Sequence, residues 1–190
     1  MLKIKIFLTL LFLGLSAGLT QVKTDFTSDL DNALKIINFL DYVARIREET
    51  GRSQDKIAEF EENEVSAFFQ YLFTEQVPTV KALELKLFPK EKIEGHLLLN
   101  LNGYNLPSYF KDEVNLYFSA RAECLNRKIR LVFNSLYLET QRIEPKIIDY
   151  LIDLIADSLK IEAHHLEDWY DLPSGVEKIS ISQGKLRIYY

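Results

Sequence analysis

The stretch from Val114 to Leu138, VNLYFSARAECLNRKIRLVFNSLYL, decides the fold, because apolar and polar side chains alternate along most of it. Val114, Leu116, Phe118 and Ala120 stand on one side of an extended chain, with Asn115, Tyr117, Ser119 and Arg121 on the other. A period of two marks a strand with one face buried. Asn126-Arg127-Lys128 then supplies a turn. The returning segment is predicted to put Ile129, Leu131, Phe133 and Ser135 on one face and Arg130, Val132, Asn134 and Leu136 on the other. An antiparallel hairpin is the economical arrangement.

The same period appears on both sides of this segment. Upstream, Leu83, Leu85 and Leu87 face away from Glu84 and Lys86, and Pro89-Lys90 turns the chain. Ile93, Gly95, Leu97, Leu99 and Leu101 then return opposite Glu94, His96, Leu98 and Asn100. GYNLPSY, residues 103–109, separates this pair from the next. Downstream, LPSGVEKISISQGKLRIYY, residues 172–190, sets Val176, Ile179 and Ile181 before a Ser182–Lys185 turn and Leu186, Ile188 and Tyr190 after it. Apolar groups on both sides of Leu97-Leu98-Leu99 and Leu131-Val132-Phe133 lead us to expect part of the sheet to be covered on each side.

Three segments have helical spacing instead. Thr27 or Ser28 offers an N-cap for a first helix carrying Leu30, Leu34, Ile37 and Leu40 or Tyr42, up to about Glu48. After the polar loop ETGRSQD, Ile57 to Phe60 reads as a short strand. Asn63 is expected to cap a second helix with the aromatic-rich stripe Val65, Phe68, Phe69, Leu72 and Phe73, stopped by Pro78. Pro145 opens a third, with Ile147, Ile148, Leu151, Leu154, Ile155 and Leu159 inward and Lys146, Asp149, Asp153 and Asp157 outward. The predicted class is α+β: a curved, mainly antiparallel sheet of about six or more strands with three main helices.

Composition fits one globular unit, with 190 residues, 47% hydrophobic and 27% charged. Lys3 and Lys5 precede an apolar run from Ile6 to Leu15 and then Ser16-Ala17-Gly18, so residues 1–18 read as a secretory signal peptide, with an uncleaved anchor as the alternative. A single α+β domain over 19–190 is expected, exported to the periplasm or cell envelope. No cysteine follows the run to be acylated, and Cys124, the chain's one cysteine, has no disulfide partner. Removal of residues 1–18 takes two lysines from 23 basic side chains and leaves 21 against 28 acidic ones, a net charge of −7. That balance excludes nucleic acid as a partner, since phosphate binding needs clustered Lys and Arg.

Three features occur together: Glu64-Val65 opening an aromatic-rich helix after a polar cap, strands ending in Asn134-Ser135-Leu136-Tyr137-Leu138, and Leu-Pro-Ser-Gly-Val before a final Gly-Lys hairpin. Over roughly residues 55–190 the set resembles bacterial exported proteins of the LmeA-like phospholipid-binding type. The resemblance implies a curved antiparallel sheet and helices enclosing an apolar groove for lipid, and it brings no catalytic motif. The chain departs from that pattern in its longer first helix, residues 28–48, and in its load of Tyr and Phe.

Reactive chemistry is sparse. His164, His165, Glu167 and Asp168 are the one cluster of metal-ligand types, with His96 as the other histidine. Adjacent histidines diverge and no spaced pair completes a site, so the cluster reads as a solvated connection and no metal or cofactor is expected. Cys124 sits at a strand turn beside Arg121 and Glu123 without a general base, and no Gly-x-Ser-x-Gly elbow, phosphate loop or dinucleotide fingerprint occurs. Glu61-Glu62 and Glu48-Glu49 read as solvated helix ends. No catalytic residue is assigned, and the chain is not expected to be an enzyme.

The expected function is therefore to hold a lipid or other long apolar molecule, with a membrane surface as a further candidate partner. The apolar lining is assigned to Phe68, Phe69, Leu72, Phe73, Leu97, Leu99, Leu131, Phe133, Leu151 and Ile155. Trp169 and Tyr170 mark either a groove mouth or a plug beneath the final hairpin. If a cavity exists, Val176, Ile179, Leu186 and Ile188 should lie beside it. The alternatives are an envelope-anchored interaction module with a filled core and, more remotely, a metal-dependent hydrolase using His164, His165 and Glu167.

Overall fold

The structure is a computed structural model describing residues 26–52, 54–76, 79–102, 111–159 and 163–190. Residues 1–18, where the signal peptide is expected, and the 103–109 interruption lie outside the described residues. The elements are α1 (Phe26–Thr50), β1 (Ile57–Glu61), α2 (Glu62–Gln76), β2 (Val80–Phe88), β3 (Lys92–Asn100), β4 (Glu113–Leu125), β5 (Lys128–Leu138), β6 (Gln141–Ile143), α3 (Pro145–Leu159), β7 (Tyr170–Asp171), β8 (Lys178–Ser182) and β9 (Lys185–Tyr189). No helix among the described residues is long and apolar enough to cross a membrane.

Six strands form a curled antiparallel sheet in the order β2-β3-β4-β5-β6, with β7 also paired to β5. The predicted hairpins are present, and their turns are tight. Asn126 and Arg127 adopt φ of 52° and 60° between β4 and β5, the left-handed pair that matches strand twist in a two-residue loop. The terminal hairpin leaves this sheet. β8 and β9 join β1 in a separate sheet of three strands, β1-β9-β8, with Phe60 opposite Leu186 and Ile181 opposite Leu186.

Two bulges correct the predicted faces. Ser119 pairs with Ser135 but Ala120 pairs with Phe133, which leaves Asn134 as an extra residue in β5. One extra residue reverses the parity of the pleat. Leu136, predicted to oppose Ile129, Leu131 and Phe133, therefore shares their side and is 1% exposed. A second irregularity at Lys81 lets Val80 and Leu83 both point inward. On the other face of the main sheet, Glu84, His96, Tyr117, Tyr137 and Arg142 follow one another in cross-strand register, with Tyr117 43% and Tyr137 39% exposed.

Both long edges of the main sheet are occupied. Along β2, the N–H groups of Leu83, Leu85 and Leu87 donate to Gln70 Oε1, to Ser66 Oγ at 3.1 Å and to Glu62 Oε2 at 2.6 Å. Along β5, β6 pairs with Leu136–Leu138, β7 pairs with Lys128–Ile129, and between them Glu167 Oε1 accepts from the Phe133 N–H at 3.1 Å. Each bond made this way takes a backbone group that an added strand would otherwise pair with.

The helix ends also differ from expectation. Thr27 and Ser28 fall inside α1, which ends at Gly51, whose φ of +67° allows its N–H to close on Arg47 O at 2.9 Å. Asn63 lies within α2 and does not cap it; Glu64 reaches back to the Glu61 N–H at 2.9 Å, the third-position half of a capping box. Glu62 is not merely solvated, since its carboxylate binds β2. Among the described side chains of α3 the buried ones are Ile148, Leu151, Ile152 and Ala156, while Ile147, expected inward, is 41% exposed; those of Ile155 and Leu159 lie outside the described residues.

The core divides in two. One cluster joins Leu99, Val114, Leu116 and Leu136 to Ile148, Leu151 and Ile152 of α3. The other joins Ile36 and Leu40 of α1 and Val65, Phe68 and Leu72 of α2 to Val176, Ile181 and Ile188 near the C-terminus. Phe69 and Leu85 pack against both.

Candidate functional site

A cavity of about 180 Å³ opens where the two clusters meet. Its walls come from α1 (Ile36, Leu40), α2 (Val65, Phe68, Phe69, Phe73), the concave face of the main sheet (Leu85, Ile93, Phe118 and Leu131 among others) and the terminal sheet (Ile179, Ile181, Leu186, Ile188), with Val176 in the loop before it. The hairpin residues singled out as markers, Val176, Ile179, Leu186 and Ile188, all stand on this wall. Leu85, Ile93, Phe118, Ile129 and Leu131 point inward yet remain only partly buried. A close-packed interior would leave such side chains almost no accessible surface.

Of the residues assigned to a lining from sequence, Phe68, Phe69, Phe73, Leu97 and Leu131 face the cavity. Leu72 is buried among the α1–α2 contacts, and Leu99, Phe133 and Leu151 pack in the cluster beneath α3. The side chain of Ile155 lies outside the described residues. The strand residues not singled out, Leu83, Leu85, Leu87, Ile93, Phe118 and Ile129, share one alternating face, so the period-two pattern contained them. Ile36 and Leu40 of α1 had no such signal, because a buried stripe reads alike whether it meets atoms or a void.

Gly95 shapes the wall. A Cβ built there would sit 2.2 Å from Cε1 and Cζ of Phe118, so the missing side chain lets that ring lie flat across β3. Phe118 in turn meets Phe133 edge-on at 5.7 Å between ring centroids. Phe118 thus stands on the cavity wall with Phe133 behind it, in the cluster beneath α3.

Polar groups are confined to one side. Arg130 is the charged residue among the lining residues, and its Nε and Nη2 donate to Glu123 Oε2 at 2.9 and 2.8 Å. The guanidinium also lies 4.7 Å from the ring of Trp169. Those hydrogen bonds, with that of Arg121, hold the Glu123 carboxyl below its usual range. Trp169 and Tyr170 separate in role: Trp169 is 36% exposed at the rim, while Tyr170 is buried, lines the cavity and donates its hydroxyl to His165 O. Burial is the main reason that the Tyr170 hydroxyl is pushed far above the ordinary phenol value.

The histidine-rich loop serves as a clasp. Asp149 Oδ1 accepts from the Leu166 N–H at 3.0 Å, Asp153 Oδ1 lies 3.1 Å from His165 Nε2, and Asp168 Oδ2 accepts from the His165 N–H at 2.9 Å. Asp149 and Asp153, read as outward-facing, thus fasten the loop to α3. The contact with Asp153 is the largest cause raising the His165 pKa above its ordinary value. His96 is remote from this loop, stacked on Tyr117 at 4.5 Å on the outer face. Among the described residues, no three His, Cys, Asp or Glu side chains converge as a metal site would require. Cys124 is partly buried opposite Ile129.

An apolar, aromatic-walled cavity with one charged residue on its wall can exclude water and hold apolar matter. No family model matches the chain, and no curated protein matches it.

Proposed function

We propose that the protein is an exported, non-enzymatic carrier that shelters an apolar molecule or the acyl chain of a lipid, in the manner of the LmeA-like proteins it resembles. The observation that carries this reading is the cavity of about 180 Å³ among inward-facing but incompletely buried Leu, Ile and Phe side chains. Inward-facing Leu, Ile and Phe side chains that keep accessible surface gain about 25 cal/mol for each Å² that an apolar ligand removes from water. The wall favours binding over reaction, because its polar-headed residues, Arg130 and Tyr170, are already engaged with Glu123 and His165 O. Strand addition at the main sheet is disfavoured by its covered edges.

Mass spectrometry of the gently purified chain under native conditions should find a co-extracted apolar molecule. Leu131→Phe, which extends a side chain into the cavity, should keep the fold and lose that molecule. Equal retention by the variant, or failure of the wild-type chain to take up any decyl-chain probe, would overturn the reading.

A further inference from the structure

We infer that the outer edge of β1 takes up a further strand, an extended segment of another protein with basic side chains on one side and apolar side chains on the other.

The pairing of β1 with β9 leaves that edge open. Lys56 and Tyr190 exchange both of their backbone hydrogen bonds, each at 3.0 Å, so Lys56, Ala58 and Phe60 turn their N–H and C=O groups toward β9. Ile57, Glu59 and Glu61, between and beyond them, turn theirs away. Glu64 takes the Glu61 N–H at 2.9 Å, but no bond from another described residue reaches the outward groups of Ile57 or Glu59. Two donors and two acceptors therefore stand at strand spacing on an edge where Ile57 is 55% exposed. Another extended chain matches such a row of backbone groups.

The other edges are closed. Glu62, Ser66 and Gln70 cap β2, while β6, β7 and Glu167 cover β5. In the small sheet, β8 packs against β2 and β4, and Glu91 accepts from the Ile181 N–H. The bare stretch from Ile57 to Glu59 is a local exception to that pattern.

The two faces of β1 set the chemistry of the partner. On the inner face Phe39 of α1 meets Phe60 and Tyr190, each at 5.1 Å between ring centroids. Lys35, one turn earlier on the same side of α1, pairs with Glu64 just beyond β1, so this side of the helix flanks the strand. Tyr42 and Ile46 continue the row, and Tyr42 is 41% exposed. An added strand gains apolar contact there. On the outer face Glu59 and Glu61 stand outermost, with Lys185 and Arg187 behind them on β9. The new strand meets the carboxylates before the cations, and opposite charges in cross-strand positions stabilise a pair. A second copy of this chain fits less well, because β1 against β1 gathers Glu59 and Glu61 of both copies along one seam.

The test is NMR titration of the full chain with two blocked hexapeptides, Lys-Val-Lys-Val-Lys-Val and Glu-Val-Glu-Val-Glu-Val. The basic peptide should slow hydrogen exchange at the Ile57 and Glu59 amides and bind about fivefold more tightly than the acidic one. Ile57→Pro removes one outward donor where an edge strand tolerates proline, and should weaken binding of the basic peptide about tenfold. Glu59→Gln keeps the backbone edge and should bring the ratio between the peptides down to about two. Unchanged exchange at both amides, or a folded Ile57→Pro variant that binds as the wild-type chain does, would overturn the docking edge. Equal affinity for the two peptides, or a ratio untouched by Glu59→Gln, would overturn the basic partner. Self-association that protects the same two amides without peptide would assign the edge to a second copy and overturn the proposal.

Discussion

Ser66 Oγ lies 3.1 Å from the backbone nitrogen of Leu85 and accepts its hydrogen bond, so a helix side chain does the work of a neighbouring strand. Glu62 and Gln70 do the same for Leu87 and Leu83. The register follows from geometry: four helical residues rise about 6.0 Å and two strand residues about 6.6 Å, near enough for three successive bonds. The row at 62, 66 and 70 lies about 60° around the helix from the row at 65, 69 and 73. One helix therefore seals the sheet edge and turns its aromatic side chains over the concave face.

Ser66→Ala should lower stability by about 1 kcal/mol, because it leaves the Leu85 N–H at a partly buried edge without its partner. Urea unfolding measures this. Replacing Glu62, Ser66 and Gln70 together with Ala should also bring concentration-dependent association through the freed edge, visible by light scattering. A monodisperse triple variant would show that the row does not guard the edge.

Gly95→Ala should cost about 1–3 kcal/mol, since the new methyl drives the Phe118 ring out of the position it now holds. The displaced ring has the cavity to move into, so the same substitution should reduce xenon binding detected by NMR. Unchanged xenon affinity would place Phe118 away from the accessible volume.

His165 should titrate above its ordinary value of 6.5, chiefly because of its contact with Asp153 and with smaller help from Asp149 and Asp168. A raised folded pKa means that the clasp's contribution is fully present below about 6.5 and is lost as pH rises through the raised value. Asp153→Asn should return the His165 pKa toward 6.5 in NMR titrations. It should also destabilise the chain more at about pH 5.5 than at about pH 8.5. An equal loss at both values would show that the contact acts without the proton.

Much of the fold was legible in the residues. Leu83, Leu85 and Leu87, or Val114, Leu116 and Phe118, alternate because only one face of their sheet is buried, and that requirement is local. The two short strands β6 and β7 were not legible: they are formed by pairing with β5, and nothing in Gln141–Ile143 or Tyr170–Asp171 announces a partner. The bulge at Asn134 was equally silent, although it moves Leu136 from one face to the other. The candidate site was half legible. Phe68, Phe69, Phe73, Leu97 and Leu131 could be named as inward and apolar, but burial against atoms and burial against a void demand the same side chains.

By itself, then, the sequence determined most of the residues that turn inward and where the chain bends, at Asn126-Arg127 and at Gln183-Gly184. Tertiary structure alone decided that the terminal hairpin leaves the main sheet for β1, that Glu62, Ser66 and Gln70 close its edge, and that a cavity remains between two clusters with Arg130 at its rim. Periodicity reports the environment of a residue averaged over its own element. A cavity is a deficit shared among helices, sheets and loops far apart in the chain, and it comes into being only when they are packed together.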